Sequence, residues 1–398
     1  MDHRLVSEIA KALDWASSDR LGGDFARGSL SDIGLCSRLL TPTRLLDLLM
    51  RRSMSPFHLR CLVDGKDAHP QDFITMSSER RGRTVPMADM RRIGALLKSG
   101  CTLVVPELNT YDPTMEVACR ALQWWSRELV QVNCYLTTGD AKGFQLHWDD
   151  HDVIVVQLAG TKSWEVRGLS RPAPMYRDGA PNLEPPNDIV WAGTMRTGDV
   201  MHIPRGYWHQ ATREDSGAGF SLHATFGISK RTGVDFVAWL ADQSRTKELF
   251  RQDLVQGGGF EEGKHQLRLT DAVVTAITTH RYSDFLTARM RDRSPARHID
   301  THGIFGAPDK VVCLTEFRPT VDVGAETIRV VAGGREILID SSAKPALDLL
   351  LSGGLVNIAD ADQAAGFDVS AVVDALLAEG ICSEVTPDLE AGYVDLVN

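Results

Sequence analysis

The spacing of apolar positions changes twice along the chain and divides it into three regions. Up to about residue 130 it is helical, and Thr41-Pro42 and Asp112-Pro113 each open a helix with an N-cap residue followed by proline. The apolar residues of the second helix recur at helical spacing and predict a face packed on a core. They are Met115, Ala118, Leu122, Trp125 and Leu129.

From residue 130 to about 228 the chain consists of short segments rich in β-branched and aromatic residues. The segments are VQVNCYL, DVIVVQLAG, KSWEVRG, DVMHIPRGYWHQATR and FSLHATFGI, with glycine-containing turns between them. Short strands at this density are typical of a sandwich or a barrel.

After residue 231 helical spacing returns, in VDFVAWLADQSRTKELFRQDL and LTDAVVTAITTHRYSDFLTARMRDR, with GGGFEEGKH between them as a loop. Residues 316–398 combine the strand-like TIRVVAG and EILID with two short helical patterns, AKPALDLLLS and DVSAVVDALLAEG. This mixture predicts a small winged-helix-like domain. The predicted boundaries are therefore 1–230, 231–315 and 316–398.

Composition agrees with a globular chain of two or three domains, since it has 398 residues, 43% of them hydrophobic and 24% charged. We see no apolar run long enough to span a membrane and no signal-peptide pattern at the N-terminus. The seven cysteines are scattered without a CxxC pair. They are expected to be buried thiols, which predicts a cytoplasmic protein.

The net charge of −10 is concentrated near the C-terminus, because residues 316–398 contain 4 Lys/Arg against 15 Asp/Glu. The helix that would read DNA in a winged-helix domain, DVSAVVDALLAEG, carries three acidic residues and no basic one. This sign of charge argues against DNA binding. A packing or substrate-docking role is preferred for this domain.

The candidate chemistry begins in FQLHWDDHDV, where His147 and Asp149 form an H-x-D pair at a predicted strand start. On a strand, residues i and i+2 project to the same face, so one imidazole and one carboxylate would lie side by side. A third ligand must come from elsewhere, and the segment from Gly198 to His209 offers one. Two histidines and one carboxylate suit non-haem Fe(II) that keeps positions open for a co-substrate and O₂.

These segments, GFQLHWDDHDVIVVQLAGTKSWEV, GDVMHIPRGYWH and SLHATFG, resemble the JmjC-type ribosomal oxygenases, a branch of the 2-oxoglutarate-dependent cupin hydroxylases. The resemblance runs from about residue 30 to the C-terminus. It implies a mixed α and β fold, in which a double-stranded β-helix precedes a helical dimerisation region and a winged-helix domain. It further implies Fe(II) held by His147, Asp149 and His209, and hydroxylation of a protein side chain with 2-oxoglutarate and O₂.

The resemblance also implies residues for 2-oxoglutarate. A lysine or arginine of the family lies on the strand after the H-x-D motif, and Lys162 occupies that place. A lysine inside a barrel is costly unless an anion pairs with it, which agrees with this role. Asn133 and Tyr135 share a face of VQVNCYL and are implied to line the pocket, and Thr225 in the last strand is a further candidate.

Three other histidines have no assigned role. His151 shares the face of His147 and Asp149 but lies too far along the strand to reach the same ion, so we expect a neighbouring or structural role. His202 stands where the family more often has an aromatic residue. His223 alternates with Thr225, and a structural role is the favoured interpretation.

The expected function is a cytoplasmic, homodimeric Fe(II)- and 2-oxoglutarate-dependent hydroxylase whose default substrate is an arginine or histidine of a ribosomal protein. A tailoring hydroxylase of a peptide or natural product would carry the same barrel motifs, because substrate choice lies in loops such as 175–188. A basic run at 78–83 could contact RNA, although a solvated loop is favoured.

Other functional classes stay open. An N-methyl-lysine demethylase fits the three-domain layout less well. A non-catalytic cupin scaffold or sensor would have no need of all three metal ligands and Lys162. In the helical region 231–315, packing within one chain would show the same periodicity as a dimer interface.

Overall fold

A computed structural model describes residues 1–78, 84–175, 184–213, 219–293, 301 and 304–397. Most of the basic run at 78–83 and the centre of the loop 175–188 lie outside these residues. The chain is a mixed α and β protein with a core rich in β-sheet.

The N-terminal region contributes helices and the first strands. Its elements are α1 (Arg4–Ala12), β1 (Ala26–Ser29), α2 (Gly34–Leu39), α3 (Pro42–Arg51), β2 (Arg60–Val63), β3 (Lys66–Asp67), β4 (Ile74–Ser78), β5 (Thr84–Ala88), α4 (Met90–Ser99), β6 (Thr102–Val105) and α5 (Pro113–Ser126). The hydroxyl of Thr41 caps α3 and the carboxylate of Asp112 caps α5, as the sequence predicts. Leu129 is not on α5, because the helix ends at Ser126 and Leu129 begins the next strand.

The strands that follow form the centre of the molecule. They are β7 (Leu129–Thr138), β8 (Asp152–Arg167), β9 (Ile189–Arg196), β10 (Asp199–Ile203), β11 (Trp208–Thr212) and β12 (Phe220–Ser229). The main sheet runs in the order β1-β10-β8-β12-β7-β6-β2-β3, and β9 and β11 also pair with β8. The pairings are antiparallel, and the sheet curls so that apolar side chains of β8, β9 and β10 share one interior cluster.

The strand β8 corrects the sequence prediction of two short strands separated by a turn. DVIVVQLAG and KSWEVRG belong to one strand of 16 residues. Gly160, with φ of 66°, bends it without ending it. Its first half pairs with β10 and β12 and its second half with β9 and β11. One strand therefore links both sides of the curled sheet.

Three helices follow the sheet, α6 (Gly233–Ser244), α7 (Phe260–Thr279) and α8 (Tyr282–Arg291). The prediction of a loop over GGGFEEGKH is wrong beyond Gly259, because α7 already begins at Phe260. Glu261 and Glu262 lie in its first turn, where negative charge favours the helix N-terminus. Gly263 is accommodated inside the helix.

The C-terminal elements are β13 (Lys310–Cys313), β14 (Thr320–Val323), β15 (Thr327–Ala332), β16 (Arg335–Asp340), α9 (Lys344–Leu350), β17 (Leu355–Asn357), α10 (Ile358–Ala365), α11 (Ser370–Ala378), β18 (Cys382–Glu384) and α12 (Pro387–Tyr393). The predicted helices correspond to α9 and α11, whereas α10 and α12 were not predicted. This region has a hydrophobic core of its own.

The C-terminal region is fastened to the sheet through α5. The indole of Trp124 donates a hydrogen bond of 2.9 Å to Thr315 O, and the guanidinium of Arg120 donates one of 3.1 Å to the hydroxyl of Tyr393. These two hydrogen bonds join α5 to the segment after β13 and to α12. Among the helices of the described ranges, none has the length and apolar character to cross a membrane.

Candidate active site

The structure brings His147, Asp149 and His209 together at one end of the curled sheet. Each offers one ligand atom, and these atoms all lie within 4.8 Å of one another. The imidazole rings of His147 and His209 are 4.4 Å apart, and His209 Nε2 is 3.5 Å from Asp149 Oδ2. The three side chains could therefore hold one metal ion from one side.

The backbone fixes the orientation of both imidazoles. His147 Nδ1 lies 2.8 Å from Gln145 O, and His209 Nδ1 lies 3.1 Å from Tyr207 O. An Nδ1–H that donates to a carbonyl leaves the Nε2 lone pair free for a metal, as in many protein metal sites. Burial lowers the pKa of His209 to about 4, and the neighbouring His147 acts in the same direction, so this ring is a neutral base.

The H-x-D motif precedes the strand on which it was predicted. His147 forms an isolated bridge with His209, and β8 begins only at Asp152. The convergence of His147 and Asp149 therefore comes from the loop and its bridge, not from strand alternation.

Lys162 lies deep in the same cavity, which has a volume of about 320 Å³. Its side chain is 1% exposed, and Nζ donates a hydrogen bond of 3.0 Å to Thr137 Oγ1. Burial lowers the pKa of Lys162 to about 7, and the charge of Arg213 adds to this effect. No carboxylate of the described chain pairs with Lys162, so the ammonium is poised for an anionic ligand.

Asn133, Tyr135 and Thr225 all line this cavity. Thr225 is the register partner of Asn133 on β7 and of Val155 on β8. The side-chain oxygen of Asn133 accepts a hydrogen bond of 3.0 Å from the backbone of Glu107, which fixes the amide at the cavity mouth. Burial raises the pKa of Tyr135, with Asp149 adding to the effect, so its phenol stays protonated.

His151 and His223 also face the cavity. His223 is 3% exposed, stacks on Tyr135 at 4.7 Å and meets Trp164 edge to face. Burial lowers the pKa of His223 well below its usual value, so it forms part of the neutral wall. His151 Nδ1 lies 3.5 Å from Asp150, and its ring is outside the group of converging ligand atoms.

His202 lies away from the cavity, on the opposite face of β10. Its ring is fully buried, with Nε2 3.1 Å from Asp152 Oδ1 and Nδ1 3.2 Å from Asp24 O. Trp15 packs edge to face on it at 4.8 Å. Its role is therefore in packing rather than in the site.

Sequence reasoning missed Thr137, Thr102 and Trp164. Thr137 is fully buried, and its hydroxyl lies between Lys162 and the hydroxyl of Thr102 at 3.0 Å from each. Strand alternation places Thr137 on the face of Asn133 and Tyr135, so the signal was present. Trp164, two residues after Lys162, is a cavity-lining residue that the same alternation would have found.

Comparison with known proteins agrees with this geometry. Residues 110–232 match the sequence profile of the JmjC domain. Ribosomal oxygenase 1 of Rattus norvegicus is 31% identical over 160 residues, which cover 39% of this chain and 26% of the rat protein. The bifunctional lysine-specific demethylase and histidyl-hydroxylase NO66 of Caenorhabditis elegans is 32% identical over 144 residues, covering 34% of this chain and 18% of that protein. The matched segments thus span about a quarter or less of these relatives.

Solved structures extend the similarity over most of the fold. The X-ray structure of E. coli ycfD superposes with a TM-score of 0.55 at 16% identity, covering 92% of this chain and 95% of that one. The structure of the same ribosomal oxygenase with cobalt and 2-oxoglutarate gives a TM-score of 0.53, again at 16% identity, with 86% of this chain and 90% of that chain covered. Residues 110–232 are therefore similar to a JmjC domain, and the chain shares its fold with a bacterial ribosomal oxygenase.

Proposed function

We propose that the chain is an Fe(II)- and 2-oxoglutarate-dependent oxygenase that hydroxylates a protein side chain. The observation that carries the proposal is the meeting, in one cavity, of two oriented imidazoles, one carboxylate and a buried lysine that pairs with no carboxylate of the described residues. Iron and 2-oxoglutarate, when bound, supply the activation of O₂ for insertion of oxygen into a C–H bond.

The residues of the site fit both cofactors. His147, Asp149 and His209 offer the nitrogen and oxygen donors that non-haem iron prefers, on one side of the ion. Lys162 would bind the distal carboxylate of 2-oxoglutarate, with Thr137 orienting its ammonium. Asn133, Tyr135 and Thr225, which line the cavity, would complete the co-substrate pocket.

The remaining wall would exclude water from the reaction. Val153, Val155 and Trp164 line the cavity with apolar surface, and each is less than a tenth exposed. Exclusion of water strengthens the attraction between Lys162 and a carboxylate and limits side reactions.

A ribosomal protein is the proposed substrate, because the rat relative and the E. coli neighbour are both named ribosomal oxygenases. By resemblance the target is an arginine or a histidine side chain. The name of the Caenorhabditis elegans relative includes lysine demethylation, which makes an N-methyl-lysine the second candidate target. A peptide or a natural product is the remaining alternative substrate, and it would be hydroxylated in the same cavity.

The first test measures succinate formed by purified protein with Fe(II), ascorbate and 2-oxoglutarate, with and without ribosomal proteins. We expect succinate from the wild type and none from Asp149→Ala. If neither protein forms succinate under either condition, the chain is a non-catalytic cupin.

The second test identifies the substrate. Intact-mass spectrometry compares ribosomal proteins from cells with and without this gene, and hydroxylation adds the mass of one oxygen atom to one of them. Demethylation would instead release formaldehyde from a methylated peptide, which a separate assay detects. Unchanged ribosomal masses would exclude ribosomal proteins as the substrates.

The proposed domains are a catalytic domain at residues 1–230, a helical region at residues 231–315 and a winged-helix-like domain at residues 316–398. The antiparallel β14–β16 sheet, flanked in sequence by α9, α10 and α11 around one hydrophobic core, supports the last assignment. Its acidic composition supports docking of a basic protein rather than of DNA.

We further propose a homodimer formed through α6 and α7. Both helices expose large apolar residues, and Val237, Ala276 and Ile277 border a largely apolar groove of about 420 Å³. Exposed apolar surface of this kind is typical of an interface. All seven cysteines are buried free thiols, which supports the cytoplasm as the compartment.

A further inference from the structure

A second cavity, of about 490 Å³, adjoins the candidate active site. Both cavities lie on the same face of β7 and β12, whose paired residues follow one another along the strands. The pairs Tyr135–His223 and Asn133–Thr225 line the first cavity, and the pairs Gln131–Gly227 and Leu129–Ser229 line the second. The two cavities are therefore consecutive stretches of one groove floor.

The imidazole of His151 lines the first cavity and lies against Gly227, which lines the second. A Cβ at residue 227 would lie 2.9 Å from His151 Nε2, so a side chain there would require the ring to shift. A substrate segment that extends from the first cavity past this ring would therefore reach the second.

The second cavity is lined by an arginine whose buried Nε has no hydrogen-bond partner among the residues that the structure describes. Arg231 is half-buried, its Nε is fully buried, and the guanidinium makes no hydrogen bond or ion pair within the ranges of the chain that the structure describes. The charge of Arg231 acts on the neighbouring carboxylate of Glu128, but the ion pair of Glu128 is with Arg289, at 2.9 Å. A partly desolvated guanidinium in this state gains more from a new carboxylate than a solvated one does.

The carboxylates that line the cavity are hydrogen-bonded to other residues or solvated by water. Glu116 is paired with Arg120, and Glu316 accepts a hydrogen bond of 2.6 Å from the amide of Gln123. Glu107 is exposed at the rim, where water solvates its carboxylate. Among the described residues that line this cavity, Arg231 is the one with a buried side-chain nitrogen that makes no hydrogen bond, and the ligand that matches a guanidinium is an anion.

We propose that this second cavity recognises an acidic side chain of the protein substrate through Arg231, and that it selects substrates with Asp or Glu at a fixed distance from the hydroxylated residue. From Thr225 to Ser229 the groove floor is about 13 Å long, at about 3.3 Å per residue. An extended substrate covers this length with about four residues. The inference rests on the proposed function, since it assumes that the first cavity receives the target side chain.

The test uses fluorescein-labelled peptides of eleven residues with blocked ends and a central arginine or histidine. The peptides are made in pairs, one pair for each flanking position. The two peptides of a pair differ only at that position, which is Glu in one and Gln in the other. Fluorescence anisotropy measures binding of each peptide to the full chain, once in the presence of Mn(II) and 2-oxoglutarate and once without them. The wild type is expected to bind the Glu peptide about tenfold more tightly than its Gln pair at an offset of about four, and nearly equally elsewhere.

The variants identify the residue responsible. Arg231→Gln is expected to abolish the preference for Glu, and Arg231→Lys to keep some of it. Arg245→Gln is the matched control, because Arg245 is an exposed arginine paired with Asp242 on α6. Equal binding of Glu and Gln peptides by the wild type, or an unchanged preference in Arg231→Gln, would overturn the inference. A chain that shows the preference but forms no succinate would contradict the proposed function alone.

Discussion

The backbones of His147 and His209 form two hydrogen bonds with each other: His147 N donates to His209 O over 3.1 Å, and His209 N donates to His147 O over 2.7 Å. One residue lies in the loop before β8 and the other in β11. This pair of bonds holds the H-x-D loop against the strand that carries the third candidate ligand. The geometry of the triad therefore depends on a tertiary contact that no local sequence pattern specifies.

The first prediction concerns metal binding. Replacement of Asp149 by alanine removes the carboxylate that faces His209, and we expect Mn(II) affinity to fall about 100-fold or more, because loss of a ligand exceeds the effect of losing an outer-shell partner. Isothermal titration with Mn(II) measures this change.

Asp150 provides the matched control for this experiment. It is adjacent in sequence, but its side chain is exposed and lies outside the converging group. Asp150→Ala should keep the affinity of the wild type. Equal losses in the two variants would show that charge in the loop, rather than ligation, governs binding.

Much of this architecture could be predicted from the sequence, because its determinants are local. Thr41 and Asp112 mark their helices through capping, which needs only neighbouring residues. Gly160 was misread as a turn, because a glycine that bends a strand and a glycine that ends one look alike in sequence. Whether β8 continues depends on its four partner strands.

The site was predictable to a similar degree. His147, Asp149, His209 and Lys162 stand in recognisable segments, and the structure places them in one cavity. The role of Arg231 could not have been predicted, because the burial of its Nε without a hydrogen bond among the described residues depends on which parts of the chain the fold brings beside it. The burial of a side chain and its hydrogen-bond partners are set by the fold and cannot be read from the spacing of residues in the sequence.

The second prediction follows from the lowered pKa of Lys162. In the folded protein this pKa is about 7, against 10.5 for an ordinary lysine, so folding disfavours the protonated form. The penalty is fully present below pH 7 and disappears as the pH rises towards 10.5. Lys162→Met should therefore raise the free energy of unfolding of the cofactor-free protein, on the order of a few kcal/mol at pH 6.5.

Urea denaturation between pH 6.5 and 10 measures this effect. The stability difference between Lys162→Met and wild type should shrink with rising pH. Lys98→Met, which changes an exposed lysine of α4, should show no such trend. A difference that is constant across the range would mean that Lys162 is already paired or neutral.

The third prediction concerns Thr137, whose hydroxyl accepts the hydrogen bond from Lys162 at 3.0 Å. Thr137→Val keeps the shape of the side chain but leaves the buried ammonium without this acceptor. We expect 2-oxoglutarate affinity, measured by calorimetry with Mn(II) present, to fall by roughly three- to tenfold. Thr137→Ser retains a hydroxyl and should restore most of the affinity. If valine and serine behave alike, packing rather than hydrogen bonding is responsible.

The fourth prediction concerns a residue that we expect to affect the stability of the fold but not metal binding. His202 and Asp152 are 0% and 2% exposed and lie 3.1 Å apart, so His202→Ala leaves a buried carboxylate with fewer donors. The free energy of unfolding should fall by about 3 kcal/mol. Affinity for Mn(II) should be unchanged, because strand alternation places His202 on the face of β10 opposite Met201 and the cavity. A loss of metal affinity comparable with the loss of stability would place His202 in the site after all.

The last prediction tests the proposed dimer. Val237 on α6 is 60% exposed and borders the apolar groove between α6 and α7. An aspartate there would have to lose its hydration in an apolar interface, so Val237→Asp should convert a dimer into monomers, as measured by light scattering after size exclusion. Val323→Asp makes the same change at a residue that is also 60% exposed, on β14, and should leave the mass unchanged. Because the two substitutions match in chemistry and exposure, dissociation by both would reflect a general effect of charge. A wild type that is monomeric at micromolar concentration would instead mean that α6 and α7 serve packing within one chain.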